Sequence, residues 1–255
     1  MPPTSFAAFR PRFESVREFV QRIELLAEIV RAGAVEDVVT LLGEVAHAAA
    51  RRQPAALETI LAWVVMSATP GNPLEPRERD LFREALRRDD PLLVTLFQPP
   101  FPVLIPEAPP AHVRAATDGR PLTLGERRAA ARRGNRFLLD RLLADPDPGV
   151  VARLLRNPLL TEREVIRIAA WRPGRPEILL ELLRCPRWAV RATVQAALLR
   201  NSALPVALAT RLTLLLPLPK LREVYSDLET PLLVRLACER HLQLLGRKKR
   251  NARLQ

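Results

Sequence analysis

Histidines, cysteines and paired carboxylates are the side chains that most often carry catalysis and metal binding, and this sequence has few of them. The three histidines, His47, His112 and His241, have no second metal ligand at helical spacing. The two cysteines, Cys185 and Cys238, cannot supply a four-thiolate site, and we expect both to be buried as small hydrophobic residues. These spacings predict neither a metal centre nor a bound cofactor.

Motifs for nucleophilic catalysis and phosphate binding are also absent from the sequence. It contains no glycine-rich phosphate loop, no Gly-x-Ser-x-Gly and no His-Glu-x-x-His. Carboxylate pairs occur at Asp145 with Asp147 and at Glu177 with Glu181. In this helical, arginine-rich setting we interpret them as helix caps and partners of arginine. The sequence therefore predicts a protein that is not an enzyme.

Arginine is the residue type that sets this chain apart. Of 40 basic residues 37 are arginine, and the formal net charge is +12. The charge is uneven, since residues 1–110 carry a net −3 and residues 111–255 a net +15. Arginine binds carboxylates and phosphates bidentately, so this asymmetry points to an anionic partner. The alternative is that the arginine bias reflects only a GC-rich coding sequence.

Length and hydropathy limit the class of protein. The chain has 255 residues, of which 48% are hydrophobic and 27% charged, a composition typical of globular proteins. The longest apolar run, residues 60–66, is far shorter than the roughly 18 residues that span a membrane. The first residues do not resemble a signal peptide, and we expect a reducing cytoplasm and no membrane contact.

The apolar positions repeat with helical period through most of the chain, which predicts an all-α fold. We expect an N-terminal helical bundle at 1–97, with one helix from Phe13 to a stop at Gly33 and a deeply buried helix from Pro54. Residues 98–110 contain six prolines, so we predict a proline-rich strap at 98–120. HEAT-like repeats are predicted at 121–246, with the last helix ending near Leu245, followed by a basic tail at 247–255.

The second half of the chain contains an internal repeat. Residues 134–150 align with 174–190 at a shift of 40, and Leu154–Asn157 aligns with Leu198–Asn201 at a shift of 44. The change of four residues is about one helical turn, so the same face still points inward. The register predicts four core positions, which are Leu142, Leu182, Ile168 and Leu212. Helical repeats of about 40–47 residues are typical of HEAT and armadillo arrays.

The half-unit sequences at 154–161 and 198–205, Leu-Leu-Arg-Asn-Pro-Leu-Leu-Thr and Leu-Leu-Arg-Asn-Ser-Ala-Leu-Pro, resemble the leucine-rich-repeat-variant branch of HEAT-like proteins. In that family a helix ends at an Arg-Asn-Pro turn. The resemblance covers residues 122–216 and implies an α-solenoid. It names no partner, and because this chain has only two cysteines, no iron–sulfur centre is carried over from it.

The same register places arginines in rows, pairing Arg156 with Arg200 and Arg167 with Arg211, while Arg163 shares a helix face with Arg167. We expect these side chains to be accessible, either as a solvated face neutralised by acids or as a groove that binds anions. The sequence thus favours a scaffold or adaptor for a protein partner with an acidic segment. A nucleic-acid-binding repeat protein is the alternative.

A third hypothesis is a HEAT-like DNA glycosylase, a class that uses tryptophan and aspartate near the base. Trp171, Trp188 and Asp145 could supply these residue types, although no local motif matches. We expect instead that both tryptophans fill gaps between helices.

Overall fold

The computed structural model describes residues 3–69, 74–99, 116–117, 120–133 and 135–251. Within these residues the chain forms sixteen α-helices, one short 3-10 helix at Thr213–Leu215 and two strands of two residues each. The α-helices, in chain order, are α1 (Phe6–Ser15), α2 (Phe19–Ala32), α3 (Val35–Ala50), α4 (Pro54–Ser67), α5 (Glu78–Arg87), α6 (Pro91–Phe97), α7 (Leu124–Ala130), α8 (Arg136–Leu142), α9 (Pro148–Leu155), α10 (Glu162–Ala170), α11 (Pro176–Leu183), α12 (Pro186–Ala189), α13 (Ala192–Arg200), α14 (Val206–Leu212), α15 (Leu218–Ser226) and α16 (Leu232–Asn251).

The predicted all-α class is confirmed. The two strands, β1 (Ala116–Thr117) and β2 (Arg120–Pro121), form a single antiparallel pair, a local turn rather than a structural layer. Most of the predicted strap at 98–120 lies outside the described residues, as does His112.

The chain divides into two compact units. Unit 1 comprises residues 1–102 and 206–255, and unit 2 comprises residues 103–205. The sequence analysis assigned residues 206–246 to the repeat array, whereas the structure groups them with the N-terminal helices. The reason is packing, because α14 contacts α4 and α6, and α16 contacts α6.

Helix α4 lies at the centre of unit 1. It begins with Pro54 at its first turn, where the missing amide hydrogen costs nothing, and it packs against α2 and α3. All residues from Thr59 to Met66 are buried, which confirms the predicted deeply buried helix. The indole Nε1 of Trp63 donates to the carbonyl of Leu96 at 3.1 Å, so this buried aromatic has its polar atom satisfied.

Two helix boundaries in unit 1 differ from the sequence prediction. The continuous helix expected from Phe13 is broken at Val16, whose backbone is extended, and Val20 is 65% exposed. Arg22 Nε donates to the Val16 carbonyl at 2.7 Å, which satisfies the end of α1 through a contact that periodicity cannot reveal. At the other terminus α16 continues to Asn251, past the predicted end near Leu245.

Unit 2 consists of the seven short helices α7–α13. The predicted core positions Leu142, Leu182 and Ile168 are buried in it, and Leu212 is buried in unit 1, so all four predictions are confirmed. Capping boxes begin α7 at Thr123 and α10 at Thr161, where the sequence has a glutamate three residues further on, Glu126 and Glu164. Local capping therefore sets where these short helices begin.

Candidate anion-binding site

The turn after α9 is held by the side chain of Asn157. Its Nδ2 donates to the carbonyls of Ala131 at 2.8 Å and Arg133 at 3.0 Å, and its Oδ1 accepts from the amide of Leu159 at 2.9 Å. The asparagine is buried and connects the ends of α7 and α9. Because carbonyls at a helix end have no partner within the helix, this side chain completes the hydrogen bonding of the turn.

Asn201 forms the same three hydrogen bonds at the turn after α13. Its Nδ2 donates to the carbonyls of Ala169 at 2.8 Å and Trp171 at 3.1 Å, and its Oδ1 accepts from the amide of Ala203 at 3.0 Å. Gly174 lies against this asparagine, and a Cβ there would come within 2.5 Å of Oδ1. The two asparagines are 44 residues apart, the shift found in the sequence, so their shared role explains why the Leu-Leu-Arg-Asn pattern recurs.

Four arginines surround the Asn157 turn, and we call them the Asn157 cluster. Arg132 and Arg133 follow α7, Arg156 follows α9, and Arg187 lies in the first turn of α12. The guanidinium of Arg187 donates to the carbonyl of Asn157 at 3.1 Å. All four side chains are exposed. The hydrogen bonds of Asn157 and Arg187 hold three separate segments of unit 2 at this one turn.

No carboxylate within the described part of the chain pairs with the Asn157 cluster. Among the described residues, the side chains of Arg132, Arg133 and Arg156 form no ion pair or hydrogen bond, and Arg187 donates to the Asn157 carbonyl and lies over the ring of Trp188. Four other arginines of unit 2 are paired, namely Arg127 with Asp145, Arg128 with Asp147, Arg184 with Glu181 and Arg191 with Glu162. Uncompensated positive charge is therefore concentrated at this turn, where an anion would be attracted.

Trp188 connects α12 to the end of α9 beside this cluster. Its Nε1 donates to the carbonyl of Leu155 at 2.7 Å, and the residue is 2% exposed. Arg187 and Arg191 both lie over its ring, 4.5 and 4.9 Å from the centroid. Trp188 thus fills a gap between helices, as predicted, and satisfies a carbonyl at the end of α9.

The structure places the five predicted arginines in different settings. Arg156 belongs to the Asn157 cluster, while Arg163 and Arg167 are exposed on α10. Arg167 lies 3.8 Å from Asp140, with both side chains more than half exposed, so this pair is weak. Arg200 is half-buried at the Asn201 turn, where its carbonyl accepts from Arg172 at 2.9 Å.

The predicted accessibility of Arg211 is wrong, because this residue is 2% exposed in unit 1. Its guanidinium donates to the carbonyls of Leu96 at 2.9 Å and Gln98 at 2.8 Å, and it lies 4.0 Å from Glu78. Burial lowers the pKa of Arg211 to about 10, with Glu78 opposing the shift. Carbonyls at the end of α6 thus solvate the buried charge, and Arg211 cannot continue a surface row with Arg167.

Trp171 also departs from the prediction, since it is 50% exposed at the end of α10 and fills no gap. Phe137 on α8 is 61% exposed, with the guanidinium of Arg141 4.2 Å from its ring centroid. The exposure of these two rings was not predicted. For Trp171 the sequence does carry an indication, because this residue directly follows the last residue of α10, and turns at helix ends lie at the surface.

Asp145 is a partner of arginine, as predicted, and Asp147 caps α9. Asp145 is buried and accepts from Arg127 Nε at 2.9 Å and from the amide of Asp147 at 3.0 Å. Burial raises its pKa, and the arginine and the amide counteract this only in part. Asp145 and Trp188 are both enclosed, so neither is open to a nucleic-acid base. His241 is buried beside the carbonyl of Thr213, where burial lowers its pKa.

Unit 1 contains a cleft of about 630 Å³, lined in part by His47 and Arg51. His47 Nε2 lies 2.6 Å from Asp90 Oδ2, and a second lining residue, Glu44, accepts from the amide of Phe6 at 2.7 Å. The residues that line this cleft include no hydroxyl or thiol nucleophile. Both cysteines are free thiols, with Cys238 buried and Cys185 half-buried.

No group of three or more potential metal ligands occurs among the described residues. In the same part of the chain, every helix is too short or too polar to span a bilayer. The chain matches no protein-family model, and comparison with curated proteins and with solved structures finds no significant match. The resemblance to HEAT-like repeats accordingly stays a prediction.

Proposed function

We propose that this protein is a non-enzymatic adaptor of the cytoplasm, a HEAT-like α-solenoid that binds an acidic segment of a partner protein. The observation that carries the proposal is the Asn157 cluster, which gathers at one hydrogen-bonded turn four exposed arginines that no described carboxylate pairs with. Arg163, Arg167 and Arg200 of unit 2 would extend the contact beyond this turn.

The chemistry of arginine supports an acidic partner. Each guanidinium offers five donors in a planar fork and keeps its charge at any physiological pH, so a carboxylate can be bound bidentately. Binding an anion costs the cluster little free energy, because its arginines do not first have to leave an ion pair with another described residue. Exposed charges also accelerate encounter with an oppositely charged chain, and this effect weakens as salt is added.

The test is a fluorescence-anisotropy titration with labelled poly-L-glutamate as the acidic probe. The variant R133E/R156E replaces two attractive contacts with two repulsive ones. We expect it to weaken binding by about tenfold, since each exposed pair contributes roughly 0.2–1 kcal/mol. Binding to the wild type should fall steeply with ionic strength.

The matched control is R17E/R31E, which makes the same change in net charge at two exposed arginines of unit 1. Neither Arg17 nor Arg31 has an ion pair among the described residues. We expect poly-L-glutamate to bind this control within about twofold of the wild type. Equal losses in both variants would show that net charge, and not the Asn157 cluster, attracts the probe.

A second candidate function, binding of single-stranded nucleic acid, is favoured by the exposed rings of Trp171 and Phe137 in an arginine-rich unit. Stacking of a base on an aromatic ring contributes roughly 1–3 kcal/mol. If this candidate holds, W171A weakens binding of a labelled oligothymidylate by about fivefold or more and leaves poly-L-glutamate binding unchanged. V190A, at an apolar position of similar exposure, is the control.

A further inference from the structure

Helix α10 runs from the turn held by Asn157 to the residues bound by Asn201. It begins at its N-cap Thr161, just after the Asn157 turn, and it ends at Trp171, whose carbonyl accepts from Asn201 Nδ2 at 3.1 Å. Trp171 follows Thr161 by ten positions, a distance of about 15 Å along the helix. The Asn157 cluster and Trp171 therefore lie at opposite ends of α10.

One side of α10 is exposed and carries positive charge followed by an aromatic ring. Arg163, Arg167 and Trp171 are spaced four residues apart, so they follow one another along the same side of the helix. All three are exposed, whereas Val165 and Ile168 on the opposite side are buried. We call the row formed by Arg163, Arg167 and Trp171 the α10 track.

The positive charge of the α10 track is weakly compensated. Arg163 forms no ion pair or hydrogen bond among the described residues, and Arg167 has the exposed, weak pair with Asp140 at 3.8 Å. The carboxylates of α10 itself are bound elsewhere. Glu164 is buried in its capping box, and Glu162 is bound by arginine and threonine side chains at the start of α13. An anionic chain on the α10 track therefore meets guanidinium groups along its length.

We propose that the acidic segment of the partner lies extended along the α10 track and presents an aromatic or leucine side chain that packs on Trp171. This inference rests on the proposed function, since the carboxylates at the other end of the segment are bound by the Asn157 cluster. Tryptophan and arginine are enriched among the residues that dominate the energy of protein interfaces. The α10 track places both types in one row.

The length of α10 sets the spacing that the partner must have. An extended chain advances about 3.3 Å per residue, so a distance of about 15 Å corresponds to about five residues. The partner is therefore an acidic segment with an apolar residue about five positions away from its carboxylates.

Three labelled nonapeptides test this spacing by fluorescence anisotropy with the wild-type chain. The first, Glu-Glu-Glu-Glu-Gly-Ser-Gly-Ser-Phe, has its phenylalanine five positions after the last glutamate. The second ends in serine instead of phenylalanine, and the third, Glu-Glu-Glu-Glu-Phe-Gly-Ser-Gly-Ser, has the composition of the first with the wrong spacing. We expect the first peptide to bind about fivefold more tightly than either of the others, because a pair of aromatic rings adds to the attraction between the charges.

Two variants assign this gain in affinity to Trp171. W171A should abolish the fivefold gain and leave binding of the serine-ended peptide unchanged, since alanine retains the carbonyl that Asn201 binds. V190A, at an apolar position that is 48% exposed, is the matched control and should keep the gain. R133E/R156E should weaken all three peptides by a similar factor, which tests the proposed function separately.

Equal binding of the first and second peptides to the wild type overturns the inference, and the proposed function still holds if R133E/R156E weakens both. A gain that persists in W171A also overturns it, because the phenylalanine then packs elsewhere. The inference is likewise overturned if W171A weakens binding of an oligothymidylate while the peptides show no gain, since the ring then serves a nucleic acid. Peptide binding that R133E/R156E leaves unchanged contradicts the proposed function and, with it, this placement of the carboxylates.

Discussion

Replacing Asn157 with alanine removes the side chain on which the turn after α9 depends. The substitution deletes three hydrogen bonds of 2.8, 3.0 and 2.9 Å at a residue that is 3% exposed. Each such bond contributes about 1 kcal/mol net, and a buried group left without a partner costs about 1–3 kcal/mol more. We therefore expect N157A to lower the free energy of unfolding of unit 2 by about 4–6 kcal/mol.

Hydrogen exchange of the α9 amides is the suitable assay, because it reports on unit 2 without contributions from unit 1. N201A removes the same set of bonds from the second turn and should cost the same within about 1 kcal/mol. R132A, at an exposed arginine without a partner, should change the free energy of opening by less than about 0.5 kcal/mol.

The outcome that refutes this reasoning is an N157A protein whose α9 amides exchange at the wild-type rate. It would mean that water replaces the side chain without loss, and the repeated asparagine would then need another explanation. If N157A and N201A lower the free energy of unfolding by unequal amounts, the surroundings of the two turns must differ, since the two asparagines are equally buried and form the same hydrogen bonds.

Three further predictions concern unit 1 and the thiols. R211M removes the guanidinium donors from the carbonyls of Leu96 and Gln98, although Leu96 keeps the hydrogen bond from Trp63 Nε1, and should cost about 2–4 kcal/mol in urea unfolding. R167E should cost less than about 1 kcal/mol. Burial alone would raise the pKa of Asp90, but the hydrogen bond and charge of His47 and nearby amides lower it overall. The ionised Asp90 therefore stabilises the fold above its unfolded pKa of about 3.9, and this stabilisation is lost as the pH falls through the native pKa. D90N should accordingly lose less stability on acidification than the wild type, measured as the free energy of unfolding in denaturation curves over a pH series. Burial raises the pKa of Cys238 to about 12 and also raises that of Cys185, so at neutral pH Ellman's reagent should label native protein slowly, half-buried Cys185 first.

The prediction from sequence succeeded where the signal is local. Helices α3 and α4 follow directly from apolar periodicity, and the capping boxes at Thr123 and Thr161 rest on residues three positions apart. It failed at Val16, where periodicity continues across a break that Arg22 stabilises from the next helix. An interaction between neighbouring residues can be recognised in a sequence, whereas one that depends on how two helices pack cannot.

The candidate site was predicted only in part for the same reason. Arg156 was identified from the repeat, but Arg132, Arg133 and Arg187 join it because Asn157 connects segments 24 to 30 residues apart. Arg211 had the same register as Arg167, yet it is buried among carbonyls at the end of α6, 113 to 115 residues away in the chain.

By itself the sequence determined the helical class, the positions of the core leucines and the excess of arginine, since each depends on residue type and on spacing within a few turns of helix. The tertiary structure alone decided which arginines stay uncompensated and which become structural. The physical reason is that a charged side chain is solvated by whatever folding brings near it. Carbonyls of α6 contact Arg211, carboxylates neutralise Arg127 and Arg128, and the Asn157 cluster stays exposed.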